Sequence, residues 1–197
     1  MGYHEQLEKL IADKDDIITT KEVEKSGIPR HYLTLFVREG LLERVSQGIY
    51  VKPDVFEDDM YILQMKSQKV IFSHETALIL HELTDRIPID CSVTVPYGYN
   101  GSSLRKSGVV VHSVKKQLHL MGTTEVETTF GRKVIAYNKE RTICDIIRNR
   151  NNMDVAVLNE AIKMYLRSKD KNISLLLKYA EELRVKKILR SYLEILL

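Results

Sequence analysis

Between Ile18 and Lys52 the apolar residues change their spacing repeatedly, and the breaks fall on glycines. Ile18 and Val23 flank Thr19-x-x-Glu22, the spacing of a capping box closed by a hydrophobic staple, so a short helix starts there. Ser26-Gly27 ends it, because glycine takes the left-handed position after a helix without penalty. Pro29 suits the first turn of a second helix, which Gly40 closes. At about 100° per residue, Leu33, Phe36 and Val37 gather on the inward side of that helix. His31, Thr34, Leu35 and Arg38 point the other way, with Arg30 at the leading end. Residues 42–51 alternate loosely around Ser46-Gln47-Gly48, as a two-stranded hairpin with a glycine turn does. Upstream, Leu7, Leu10 and Ile11 recur at helical spacing in residues 3–14 and supply a third wall for a small core.

Helix, turn, helix and hairpin in this order is a winged helix-turn-helix, and its second helix is the one that enters a major groove. Arg30 or Arg38 can pair a guanine edge in bidentate fashion, and Leu35 can touch a thymine methyl. Each of these side chains alone equally fits a solvated helix face. As a set on the second helix they point to DNA.

Pro53-Asp54 marks a boundary, giving a DNA-binding domain over 1–53 and a mixed α+β domain over 54–197. In the latter the pattern predicts a short helix at 60–65, a strand at 70–72 and a helix at 74–83 capped by Ser73. Strands follow at 92–96 and 109–114, then a hairpin of 126–130 and 133–137 about Gly131-Arg132. The sheet they form is expected to be largely antiparallel. Residues 97–103 read as a polar loop without the GxxxxGK[ST] of a phosphate loop. A helix over 139–148 turns Ile143, Ile146 and Ile147 inward. Helices over about 154–167, 173–183 and 184–197 finish the chain as a helical cap. Val155, Leu158, Ile162 and Tyr165 line the first of these, and Ile188, Leu189, Tyr192, Leu193 and Leu196 the last. The fold class is α+β.

Composition narrows the function. With 44% hydrophobic and 29% charged residues, and no eighteen-residue apolar run, the chain reads as a soluble protein without a membrane span. The N-terminus MGYHEQLEKL has no signal pattern, which places the protein in the cytoplasm. Cys91 and Cys144 lack CxxC spacing and read as reduced, buried thiols without metal. His74-Glu75 with His81 misses the His-Glu-x-x-His zinc pattern, because Leu78 stands fifth and His81 lies two turns from His74. No metal or other cofactor is called for.

The net charge of +3 is small for a DNA-binding protein, so its distribution matters. Residues 1–53 hold eight Lys/Arg against nine Asp/Glu, residues 54–138 nine against ten, and residues 139–197 thirteen against eight. The surplus therefore lies at the C-terminal end. There Lys163, Arg167, Lys169, Lys171, Lys186, Lys187 and Arg190 are candidates for phosphate contacts.

Four segments, in this order, resemble the AbiEi-type antitoxins, the regulators of type IV toxin–antitoxin pairs. They are GIPRHYLTLFVREGLLERVSQGIYVKPD, SHETALILHELTDRIP, KERTICDIIR and YLRSKDKNISLLLKYAEELRV. The resemblance implies autorepression of an operon through inverted-repeat DNA bound by the winged helix. It further implies a C-terminal domain that counteracts a nucleotidyltransferase-like toxin without a stable complex, in phage defence by abortive infection. Carried over by position, Arg30, His31, Thr34 and Arg38 fall on the recognition helix, and Arg44, Gln47 and Gly48 on the wing. Thr20 and Lys21, at the start of the first helix, join the DNA-binding candidates. Without a coiled-coil heptad the protein is expected to be a monomer in solution. A ligand-responsive winged-helix transcription factor is the alternative. An enzyme built on His74, Glu75 and Cys144 ranks below both, because no nucleophile, base and orienting group fall together.

Overall fold

The computed structural model describes residues 2–196, and the chain divides into two compact units, Met1–Ile62 and Leu63–Leu197. The division lies downstream of Pro53-Asp54, inside a helix.

The first unit runs α1 (Tyr3–Ala12), β1 (Ile17–Thr19), α2 (Thr20–Lys25), α3 (His31–Arg38), β2 (Glu43–Ser46) and β3 (Ile49–Val51). The strands form an antiparallel sheet in the order β1-β3-β2, with Ile17 opposite Val51 and Ser46 opposite Ile49. Strand β1 is only three residues long, too short to show an alternation in the sequence. Thr19 caps α2 as its spacing predicts: its hydroxyl accepts from the Glu22 amide (3.2 Å), and the Glu22 carboxylate accepts from the Thr19 amide (2.9 Å). Ile18 and Val23, the staple pair, are both buried. Thr19→Ala should therefore cost about 1 kcal/mol, read as a lower midpoint in thermal unfolding. An unchanged midpoint would mean that the cap is redundant.

Leu7, Ile11, Ile18, Val23, Ile28, Leu33, Phe36 and Leu42 make the core of this unit. Two expectations fail here. Val37 is 38% exposed, and Tyr32 takes its place beside Leu33 and Phe36. The core stripe of α3 is thus rotated by part of a turn from the one the apolar residues alone suggest. Pro29 lies outside α3, whose cap position is Arg30.

Helix α4 (Asp59–Lys66) carries the chain into the second unit. There follow β4 (Ile71–Phe72), α5 (His74–Leu80), β5 (Ser92–Pro96), α6 (Ser102–Lys106), β6 (Val110–Val114), α7 (Lys116–His119), β7 (Thr123–Glu127) and β8 (Lys133–Tyr137). Then come α8 (Lys139–Arg148), a 3-10 turn (Arg150–Asn152), α9 (Val155–Arg167), α10 (Ile173–Glu182) and α11 (Lys186–Leu196). The sheet order is β6-β5-β4-β8-β7. Its pairs β5/β6 and β4/β8 are parallel while β4/β5 and β7/β8 are antiparallel, so the sheet is evenly mixed and not largely antiparallel. The stretch read as one loop after β5 ends in α6, and that crossover returns the chain beside β5 in the same direction.

Helix α8 is the axis of this unit. Every residue from Glu140 to Ile147 is buried, and α5, α9, α10 and α11 all pack against it. Leu158, Ile162, Tyr165, Leu176 and Leu189 fill the core around it. Val155, expected to point inward, is 62% exposed at the first turn of α9. The side chain of Leu196 and the helix end expected at Leu197 fall outside the described residues. Ser73 precedes α5 as expected, but its hydroxyl does not cap the helix.

Candidate functional site

The face assembled from the predicted residues belongs to the first unit. Leu33 and Phe36 bury one side of α3, and α1 braces it from behind. The His4 ring lies 4.6 Å from the Phe36 ring between centroids, and Tyr3 lies 5.5 Å from Tyr32. The opposite side exposes Arg30, His31, Thr34 and Arg38, with Leu35 half-buried at its margin. His31 rests on the Tyr32 ring, 4.5 Å away. Among the described residues no carboxylate pairs with Arg30 or Arg38, so both guanidinium groups are free to take an anion.

The hairpin stands next to the start of α2. The Thr20 amide donates to the Gly48 carbonyl at 2.9 Å. Gly48 has φ +74°, so the turn needs glycine for its backbone, while a Cβ there would meet the Thr20 hydroxyl at 3.4 Å, an ordinary van der Waals distance. That contact brings Thr20 and Gly48 together, with exposed Lys21 and Gln47 as their chain neighbours. Arg44, also exposed, donates from Nε to the Ser46 carbonyl at 3.4 Å. The surface is thus a set of exposed cations and short polar groups on rigid elements, chemistry suited to phosphate oxygens and base edges.

The C-terminal cations are distributed over α9, the loop after it and α11. Lys163, Arg167, Lys169, Lys171, Lys187 and Arg190 are exposed. Lys186 is half-buried and pairs with Glu181 at 2.8 Å, and Lys171 donates to the Ser168 carbonyl at 3.2 Å.

The features that resemble an enzyme come apart in the structure. His74 opens α5, and His81 follows that helix with its Nε2 2.6 Å from the Tyr137 carbonyl. Among the described residues no group of three His, Cys, Asp or Glu is placed to hold a metal. Cys144 is buried, and burial pushes its thiol up to about 12 with the neighbouring carboxylate of Asp145 adding to the effect, so it is no nucleophile at neutral pH. Cys91 is only half-buried, contrary to the expectation for both thiols.

Residues that sequence reading passed over surround α8. Arg141 is fully buried. Its Nε donates to the Asp145 carboxylate at 3.0 Å, its Nη1 donates to the carbonyls of Leu118 (2.8 Å) and Met121 (3.1 Å), and its guanidinium carbon sits 4.3 Å from the Tyr137 ring centroid. Burial pushes the Asp145 carboxyl up to about 6 against the pull of Arg141. The four-residue spacing of Arg141 and Asp145 was the signal available. His112, stacked on His74, had none.

Among the described residues no helix is long and apolar enough to cross a membrane. No curated protein matches the sequence. The chain is similar to the crystal structure of the RV2827C protein from Mycobacterium tuberculosis, with a TM-score of 0.57 and 14% identity over 89% of this chain and 71% of that one. A likeness at that identity concerns the fold, a mixed α+β arrangement. The family described as transcriptional regulator, AbiEi antitoxin has a model that matches residues 5–51, the span from α1 to the end of β3, and over that span the chain is similar to that family.

Proposed function

We propose that residues 1–53 are a winged helix-turn-helix that represses the protein's own operon by binding inverted repeats in double-stranded DNA. Helix α3 enters the major groove with Arg30, His31, Thr34, Leu35 and Arg38, and Thr20, Lys21, Arg44, Gln47 and Gly48 hold the flanking backbone. Residues 54–197 act as the antitoxin of a type IV pair, opposing a nucleotidyltransferase-like toxin without a stable complex, in abortive infection against phage. The protein works as a cytoplasmic monomer between DNA encounters. One coincidence carries this reading: the span matched by the regulator family is the span whose exposed helix face holds the guanidinium groups of Arg30 and Arg38.

Arg38→Ala should weaken operator binding by about 1–3 kcal/mol while leaving thermal unfolding unchanged. Native affinity in a gel-shift titration removes Arg38 from the site. The same titration across a salt series tests the C-terminal cations. Joint replacement of Lys186, Lys187 and Arg190 by alanine flattens the salt slope by nearly one for each phosphate that is no longer neutralised. A slope equal to wild type assigns all three to solvent. The full-length Arg38→Ala protein, co-expressed with the neighbouring gene product, should still restore growth, because neutralisation belongs to the other domain. Loss of rescue would join the two activities in one surface.

The alternative, a ligand-responsive regulator, keeps one observation in its favour, a polar pocket in the second unit.

A further inference from the structure

That pocket, of about 230 Å³, is lined by His74, His112, Ser113, Val114, Asp145, Arg148 and Asn149. Strand pairing builds it. Strand β6 runs parallel beside β5 with His112 opposite Thr94, and β4 delivers His74 directly after Phe72-Ser73. The two imidazoles stack at 3.5 Å between centroids with 16° between their planes. His74 Nδ1 lies 3.0 Å from the Ser73 hydroxyl, which accepts from Thr94 Oγ1 at 2.8 Å. His74 also holds φ +51°, a left-handed backbone that a side chain rarely adopts and that tertiary packing must impose.

Both rings are neutral near pH 7. Burial holds His74 well below the usual imidazole range, and the charges of His112, Arg141 and Arg148 act in the same direction. Burial also lowers His112, against the pull of Glu75. Among the described residues two buried side-chain polar atoms lack a protein partner, His112 Nε2 and Arg141 Nη2. Both belong to this neighbourhood, because Arg141 is the group that holds Asp145 in the pocket wall. A native fold seldom leaves such atoms without a purpose.

The charge pattern selects the ligand. Asp145, the carboxylate of the lining, is engaged by Arg141 Nε at 3.0 Å. Arg148 is exposed at the rim and, among the described residues, has no carboxylate partner. It also lines the adjoining hollow, whose other charged residues are Lys115, Arg184 and Glu182. A cation meets Arg148 and Arg141 here without a third ligand to hold it. An anion meets a guanidinium, the Asn149 amide and two imidazoles able to donate.

We propose that this pocket binds a phosphate group, free or as a monoester, through Arg148, Asn149, His74 and His112. The bound oxyanion favours the protonated imidazoles, so binding near pH 6 takes up protons beyond those set by the phosphate's own second ionisation, which lies at about 6 for a monoester. The facing groups are Arg141, Arg148 and Asp145 from α8, Glu75 from α5, and Asp90 before β5, which shares a hollow with His112; of these, Glu75, Asp90 and Asp145 repel the ligand. The pocket lies wholly in the second unit and its test reads small-molecule binding, so it stands or fails independently of operator recognition.

The test is calorimetric titration of the full chain with inorganic phosphate and with adenosine monophosphate, at fixed ionic strength, at about pH 6 and about pH 7.5. Sodium chloride serves as the control. The expected result is saturable binding of at least one probe on the order of millimolar or tighter, with proton uptake at the lower pH in excess of the probe's own ionisation, read from buffers of different ionisation heat. Arg148→Ala should cost about tenfold or more, and His112→Asn should reduce the proton uptake. Arg148 is exposed, so an unchanged circular dichroism spectrum is expected to accompany that loss. Equal affinity for the two probes identifies the free oxyanion as the ligand, and tighter nucleotide binding identifies a phosphate carried on a larger molecule. No saturable binding of either probe, or binding that Arg148→Ala leaves unchanged, overturns the proposal.

Discussion

Arg141→Ala is expected to destabilise the second unit by about 3–5 kcal/mol, because it strips a buried carboxylate of its counter-charge. Asp145 is only 2% exposed, so water is a poor substitute for the guanidinium there. The Leu118 and Met121 carbonyls lose their donor together, and the Tyr137 ring loses the cation on its face. Removing both charges, as in Arg141→Met with Asp145→Leu, should recover much of the loss, since two apolar groups of similar size leave nothing unpaired. Hydrogen exchange across α8 and thermal unfolding by circular dichroism would measure both variants. If the single and double variants are equally destabilised, packing and not charge is the cause. The pH dependence has a definite sign. The Asp145 carboxyl is pushed up to about 6 in the fold against an ordinary 3.8, so its contribution is full below 3.8 and is lost as pH rises through about 6. Removing Arg141 raises it further, and the penalty of Arg141→Ala should therefore shrink between neutral pH and about 5. His74, His81, His112 and His119 are all lowered by burial, so their contribution runs oppositely, present above 6.5 and lost as the solution is acidified.

The difference between the two units in how well sequence reads them has a physical origin. In the first unit the decisive bonds are local. Thr19 and Glu22 are three residues apart, and the hairpin closes on Gln47-Gly48, so capping and turn chemistry predict them. What escaped there depended on neighbours: Val37 turned outward because α1 brings its residues against Tyr32 and Phe36. In the second unit the decisive contacts join distant segments. His112 meets His74 only because β6 lies parallel to β5, and that direction depends on α6, whose pattern is too short to read. Gly122 shows the same limit. A Cβ there would fall 2.8 Å from the Cβ of Arg141, so its smallness makes room for the stem of the buried arginine. The exposed residues of the candidate DNA face were legible because exposure on a short helix follows from its own periodicity. The polar cluster at the far end of α8 was not, because burial of an arginine is decided by the rest of the unit.

Phe36→Ala should cost the first unit about 3–5 kcal/mol. The side chain is 1% exposed, with His4 packed on its ring and Leu7, Ile11 and Leu33 in the same core. A unit of this size has only about 3–9 kcal/mol of stability in total, so the loss releases α3 for much of the time. Operator binding should then collapse although no exposed cation has been touched. Phe36→Leu keeps most of the volume and should cost less than about 1.5 kcal/mol, with binding retained. The pair separates support from contact. Arg38→Ala lowers affinity without moving the melting curve, whereas Phe36→Ala lowers both, and cooling or a stabilising osmolyte should restore binding only to the latter. Native operator affinity in Phe36→Ala, at a temperature where the α3 amides exchange freely, would place DNA recognition somewhere other than α3.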